Sequence, residues 1–133
     1  MILFIDTSDF NDLRLALIDP KGKSSVREST HSVAYNENYK TAEFLQKFLH
    51  SGKTSYQQLS KIVACSGPGS FTGIRVGVAL AQALGFALNI PVVAIKKSQV
   101  PPDLAKLKTL RSGKHMVLNY GHKPNITKAK AKK

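Results

Sequence analysis

The stretch that decides the fold of this 133-residue chain reads CSGPGSFTGIRVG and spans residues 65–77. It follows an apolar run at residues 62–64 and leads into a helical pattern, so it predicts a strand, a tight turn and a helix. The glycines and the proline of the turn indicate backbone conformations that side chains would obstruct. A helix that begins there directs free N–H groups at one spot, which suits an anion or a closely docked backbone. The candidate residues are Gly67, Gly69, Ser70, Thr72, Gly73 and Arg75.

This turn matches neither of two common phosphate-binding motifs. It lacks the Gly-Lys-Ser/Thr end of a Walker loop, and its glycines are spaced too widely for a dinucleotide fingerprint. The hydroxyls of Ser70 and Thr72 suit either contact with an anion or N-capping of the helix. Arg75 lies in the first turn, where the helix dipole disfavours a cation. We therefore expect a specific acidic or carbonyl partner for Arg75.

The pattern on either side of this turn predicts an α/β fold. Three strands are predicted at residues 1–6, 13–18 and 25–34, then a helix over 38–50. A capping box formed by Ser55 and Gln58 begins a short helix, and a strand at 62–65, the main helix at 72–88 and a strand at 91–95 follow. The order β-β-β-α-β-α-β predicts a mixed five-stranded sheet in a ribonuclease-H-like arrangement.

Small residues recur along the main helix at intervals of four, at positions 73, 77, 81 and 85. A glycine inside a helix costs about 0.5–1 kcal/mol relative to alanine, so several of them require a compensating contact. The close neighbour that this pattern predicts is either the chain's own sheet or a helix of another subunit.

Charge divides the chain into two parts. Residues 1–95 carry nine Lys and Arg against seven Asp and Glu, whereas residues 96–133 carry eleven against Asp103 alone. We predict a globular lobe at 1–98 and a basic segment at 99–133 whose end is disordered. The basic segment suits either contact with RNA phosphates or a solubilising role. The sequence has neither a signal peptide nor an apolar run of bilayer length, so we expect a cytoplasmic protein without membrane contact.

Three segments resemble the TsaB (YeaZ) family. They read IDTS at residues 5–8, SGPGSFTGIRVG at 66–77 and IPVV at 90–93, and the likeness covers roughly residues 1–98. It implies one lobe of the actin-like ATPase fold. Because members of the family are much longer, it also implies a shortened form that lacks most of the second lobe.

The resemblance implies a function in tRNA modification. Family members are partner subunits of TsaD, and with TsaE they attach threonylcarbamoyl to the adenosine beside the anticodon. The two helices would then dock to TsaD, and the lysine-rich tail would help to hold tRNA. A homodimer through the same helices is expected when the partner is absent. The predicted interface residues are Ala42, Leu45, Leu49, Gly73, Gly77, Ala81 and Gly85.

Little in the sequence indicates that this chain alone catalyses a reaction or binds a metal or cofactor. Asp6, Thr7 and Ser8 lie where nucleotide-binding relatives hold phosphate and metal, but the glycine usual after Asp-Thr is missing, so Asp6 either caps the turn or orients a metal-bound water. We expect no catalytic residues, no metal site and no cofactor bound by this chain alone, with ATP or ADP only in the complex. The alternatives are a free-standing nucleotide- or RNA-binding module and a stand-alone ATPase or transferase.

Overall fold

A computed structural model of the chain describes residues 1–9, 11–21, 26–33, 40–69 and 71–109, and places five strands in one sheet. The strands lie in the order β3-β2-β1-β4-β5. The first three pair antiparallel, whereas β1 with β4 and β4 with β5 pair parallel. The helices and strands are β1 Ile2–Asp6, β2 Asp12–Ile18, β3 Val26–Ser32, α1 Thr41–Ser51, β4 Lys61–Cys65, α2 Phe71–Leu88 and β5 Val92–Ile95. The predicted element order and mixed sheet are confirmed.

Side chains of β1 alternate between two apolar cores, one on each face of the sheet. Leu3 and Ile5 pack with residues of α1 and α2 on one face. Ile2 and Phe4 point to the other face, where Leu104 packs. This alternation follows from the two-residue period of a strand, and it explains why all five residues of β1 are buried.

The packed domain continues past the predicted boundary at residue 98. A 3-10 helix at Leu104–Thr109 buries Leu104 and Leu107, which are 2% and 3% exposed, against the second face of the sheet. The boundary prediction was wrong, because Leu104 and Leu107 are spaced to place one apolar edge of a short helix on the sheet. The basic residues from 110 onward, including the predicted disordered end, lie outside the described residues.

The two main helices end where the sequence predicts. Gly52 is the C-cap of α1, and Asn89 ends α2 in a left-handed conformation at a φ of 56°. Arg27 of β3 donates from its guanidinium to the carbonyl oxygen of Phe48 at 2.9 Å and so satisfies one carbonyl in the last turn of α1. The predicted start of α1 at residues 38–39 lies outside the described residues, and the helix begins at Thr41.

The capping box predicted at Ser55 and Gln58 is present. The backbone N–H of Ser55 donates to Gln58 Oε1 at 2.7 Å, as a capping box requires, although the helix that follows is only a 3-10 turn. Within the described part of the chain, no helix combines the length and the apolar composition of a bilayer span.

Candidate functional site

Three loops meet at the carboxyl edge of the sheet. Because β1, β4 and β5 run parallel, the turn after Asp6, the glycine turn after Cys65 and the segment after Ile95 emerge at the same edge. Ligands of open α/β sheets commonly bind at such an edge. A candidate site is therefore expected at this edge of the sheet.

The turn after β1 is closed by its own hydrogen bonds. Asp6 is 7% exposed, and its Oδ1 accepts from the backbone N–H of Ser8 at 2.9 Å and from Ser8 Oγ at 2.5 Å. Thr7 Oγ1 donates to the carbonyl oxygen of Gly73 at 2.5 Å. Asp6 therefore caps this turn, as one of the two sequence interpretations predicts.

The glycine turn packs directly on the turn after β1. Gly67 has a φ of 103°, which favours glycine, and its carbonyl oxygen accepts from the backbone N–H of Lys97 at 2.7 Å. A Cβ at Gly69 would overlap the carbonyl group of Ser8. The tight turn thus allows two backbones to approach closely, which is one of the two uses predicted from its sequence. Ser70, one of the predicted anion contacts, lies outside the described residues.

Lys97, in the segment that follows β5, also lies at this edge. Its Nζ donates to Ser8 Oγ at 2.9 Å, and the thiol of Cys65 lies 3.8 Å from the same oxygen. Burial raises the pKa of the Cys65 thiol, so the thiol remains protonated at neutral pH. Sequence reasoning missed Lys97, because 89 residues separate it from Ser8 and only the parallel topology brings the two together.

The small-residue face of α2 lies against the chain's own sheet. A Cβ at Gly77 would overlap Thr7 Oγ1, and one at Gly85 would overlap Val92. Gly73 is buried, and Ala81 is 0% exposed. The prediction that Gly73, Gly77, Ala81 and Gly85 form a partner interface is corrected, because the turn after β1 and strand β5 already fill the space beside Gly77 and Gly85. The alternative interpretation, a close contact with the chain's own sheet, is the one that the structure supports.

The predicted interface on α1 requires the same correction. Leu45 and Leu49 are 1% and 2% exposed and belong to the core beneath the helices. Ala42 is exposed. Only Ala42, among the seven predicted interface residues, faces outward, because an apolar stripe at helical spacing first serves the helix's own domain.

The opposite side of α2 is exposed and carries small and apolar side chains beside a threonine and an arginine, and we call it the outer face. Among the residues that the structure describes, Phe86 is the large hydrophobic side chain that is exposed, at 91%. The outer face comprises Thr72, Arg75, Ala79, Ala83 and Phe86, all of them exposed. These positions are three or four residues apart, so they lie on one side of the helix. The apolar character of both sides of α2 was the signal in the sequence that could have indicated it.

Known proteins of one family resemble this chain in sequence. The family model described as "TsaD: tRNA N6-adenosine threonylcarbamoyltransferase" matches residues 33–126. The tRNA threonylcarbamoyladenosine biosynthesis protein TsaB of Bacillus subtilis is 36% identical over 94 residues, which are 71% of this chain and 40% of the relative. TsaB of Buchnera aphidicola subsp. Schizaphis graminum is 32% identical over 95 residues, covering 71% of this chain and 43% of the relative.

A solved structure agrees with these sequence matches. YeaZ from Pseudomonas aeruginosa superimposes with a TM-score of 0.63 at 25% identity, over 71% of this chain and 43% of that one. The chain thus spans less than half the length of these relatives.

Proposed function

This chain belongs to the TsaD family and is one of its TsaB (YeaZ) members, and from that premise we propose that it is a non-catalytic partner subunit in tRNA threonylcarbamoyladenosine biosynthesis. In this proposal it docks to a TsaD-type enzyme and activates it. The outer face of α2 is the docking surface. The observation that carries the proposal is the exposure of Phe86, at 91%, among the small side chains of that face.

The composition of the outer face suits a helix from a partner. Ala79 and Ala83 are exposed and small, so a second helix can approach the backbone of α2 closely along this line. Phe86 stands at one end of the line, and burial of an aromatic side chain contributes strongly to association. Because an exposed apolar patch favours coverage in water, the same face supports a homodimer when the enzyme is absent.

The carboxyl edge of the sheet supports a non-catalytic role. The groups of Asp6, Thr7 and Ser8 that could contact a substrate hydrogen-bond within the chain instead. Catalysis, ATP or ADP binding and contact with a TsaE-type ATPase are therefore assigned in this proposal to the complex. The cytoplasm, where tRNA is modified, is the proposed location.

Contact with tRNA is a second part of the proposal, carried by a separate observation. Lys106 and Lys108 are exposed residues in the described part of the basic segment. Lysines attract nucleic-acid phosphates without regard to sequence, and this attraction weakens as salt rises. The same lysines are what favour the rival proposal of a free-standing RNA-binding module.

Coexpression with the cognate TsaD-type protein tests the docking proposal. We expect a complex that co-purifies with the tagged chain, and we expect Phe86→Asp to abolish it, because the charge would have to be buried without a partner. Gln57→Asp introduces the same charge at an exposed position outside α1 and α2 and is the matched control. Capture that is equal for the wild type, Phe86→Asp and Gln57→Asp would contradict the proposal.

RNA binding separates the two rival functions. A partner subunit that contacts tRNA only within the complex binds it weakly alone, whereas a free-standing module binds RNA alone and is insensitive to Phe86→Asp. Measuring tRNA retardation by the purified chain, with and without the TsaD-type protein, distinguishes them. Tight binding by the chain alone, unchanged when the TsaD-type protein is added, would favour the module.

A further inference from the structure

The ammonium group of Lys97 lies beside the turn that holds a buried carboxylate. Lys97 Nζ donates to Ser8 Oγ at 2.9 Å, and Ser8 Oγ in turn donates to Asp6 Oδ1 at 2.5 Å. A single hydroxyl therefore connects the cation to the anion. Ser8 is 2% exposed and Asp6 is 7% exposed, so the serine and carboxylate of this connection lie largely away from water, whereas Lys97 is an exposed residue.

A carboxylate buried in this way needs a counter-charge. Removing an ionised group from water is costly unless hydrogen bonds and an opposite charge compensate it. The hydrogen bonds come from Ser8, through its backbone N–H and its hydroxyl. Among the described groups hydrogen-bonded to Ser8, the Cys65 thiol is neutral and Lys97 supplies positive charge.

The backbone of Lys97 is fixed at the same place as its side chain. Its N–H donates to the carbonyl oxygen of Gly67 at 2.7 Å, and the preceding strand is anchored by Ser66, whose backbone N–H donates to the Ile95 carbonyl oxygen at 2.7 Å. The position of the ammonium group is therefore built into the loop that follows β5. Lys97 as a residue is exposed, but its ammonium group is held by Ser8 Oγ.

With Lys97 in place, the residues of this turn do not fit the divalent metal and phosphate that nucleotide-binding members of the superfamily hold here. A divalent metal placed at Ser8 would face the positive charge of Lys97 at hydrogen-bond distance. The space that a phosphate would need is narrowed by the contact of Gly69 with the carbonyl of Ser8.

We propose that Lys97 is a built-in cation that takes the place of a divalent metal beside Asp6 and keeps the turn after β1 closed without a ligand. The lysine neutralises the buried carboxylate through Ser8 and holds the β1, β4 and β5 loops together. Removal of the lysine charge should leave the carboxylate uncompensated and make the turn responsive to magnesium ions. This inference does not depend on the docking proposal.

Thermal unfolding of the purified full chain, in EDTA and in millimolar Mg²⁺ at matched ionic strength, tests the inference. We expect Lys97→Met to lower the Tm by about 4 °C or more in EDTA, and Mg²⁺ to restore part of that loss. Lys96→Met removes the same charge from the neighbouring exposed residue and should change neither the Tm nor its response to Mg²⁺. Lys97→Arg retains the cation and should behave as the wild type does.

Asp6→Asn completes a double-mutant cycle. In an Asp6→Asn background, Lys97→Met should lower the Tm much less, and Mg²⁺ should not change that Tm, because the side chain at position 6 is no longer charged. Equal costs in the two backgrounds overturn the inference, as does a Lys97→Met variant that does not respond to Mg²⁺. If Lys97→Met does not fold, the Tm of the wild type with and without Mg²⁺ tests the inference instead. An increase of its Tm with Mg²⁺ that Asp6→Asn removes would place a metal there despite the lysine, whereas an unchanged Tm supports the inference.

Discussion

The two sides of α2 differ in what they contact, although small residues occur on both. The inner side, with Gly77 and Gly85, approaches the sheet so closely that a Cβ would overlap Thr7 or Val92. The outer face ends in Phe86, which is 91% exposed. The comparison teaches that a line of small residues marks a close neighbour without identifying it. Only the fold shows whether that neighbour belongs to the same chain.

Leucine at the two sides of α2 should give the largest contrast in stability. Gly77→Leu forces a side chain into the space of Thr7, so we expect a loss of about 3 kcal/mol in the free energy of unfolding, or no folded protein. Ala79→Leu enlarges an exposed residue of the same helix and should change that free energy by less than about 0.5 kcal/mol. Urea denaturation measures both, and equal losses would mean that the two sides are not distinct.

Removal of the Thr7 hydroxyl should show how much its hydrogen bond stabilises the inner side of α2. Thr7→Val keeps the size of the side chain but removes the hydroxyl that donates to the Gly73 carbonyl oxygen at 2.5 Å, and we expect a loss of about 1 kcal/mol in the free energy of unfolding. Thr30→Val, at an exposed position of β3, is the matched control and should have little effect. A Thr7→Val variant as stable as the wild type would show that this hydrogen bond does not hold α2 to β1.

The sequence was sufficient to predict most of the fold but not which side of each helix packs against the sheet. The order of strands and helices predicts parallel pairing of β1 with the later strands, and the structure confirms it for β1, β4 and β5. The small-residue spacing left two neighbours open, because α2 is apolar on both sides and its pattern does not distinguish them. Leu45 and Leu49 were placed at an interface although they complete the chain's own core.

The carboxyl edge was predictable only in part, and for a different reason. The turn at Asp6 could be recognised because its hydrogen bonds join residues two positions apart. Lys97 could not, since its contact with Ser8 depends on three strands being placed side by side. Local chemistry can therefore be predicted from local sequence, whereas contacts that topology creates require the structure.

Labelling of Cys65 should detect a smaller effect, local opening of the carboxyl edge. The thiol is buried and its pKa is raised by that burial, so the thiolate that reacts is scarce in the native protein. We expect slow alkylation of this cysteine, the only one in the chain, and faster alkylation in Thr7→Val. Phe86→Asp on the outer face should leave the rate unchanged, and an equal increase in both variants would contradict the separation of the two sides.

Protection of the outer face by a partner tests the central claim most directly. Ala83→Cys places a reactive thiol at an exposed position of that face, and Gln57→Cys places one at an exposed position outside it. We predict that the cognate TsaD-type protein slows maleimide labelling at position 83 severalfold and leaves labelling at position 57 unchanged. Labelling at position 83 that proceeds equally fast in the complex would contradict the account.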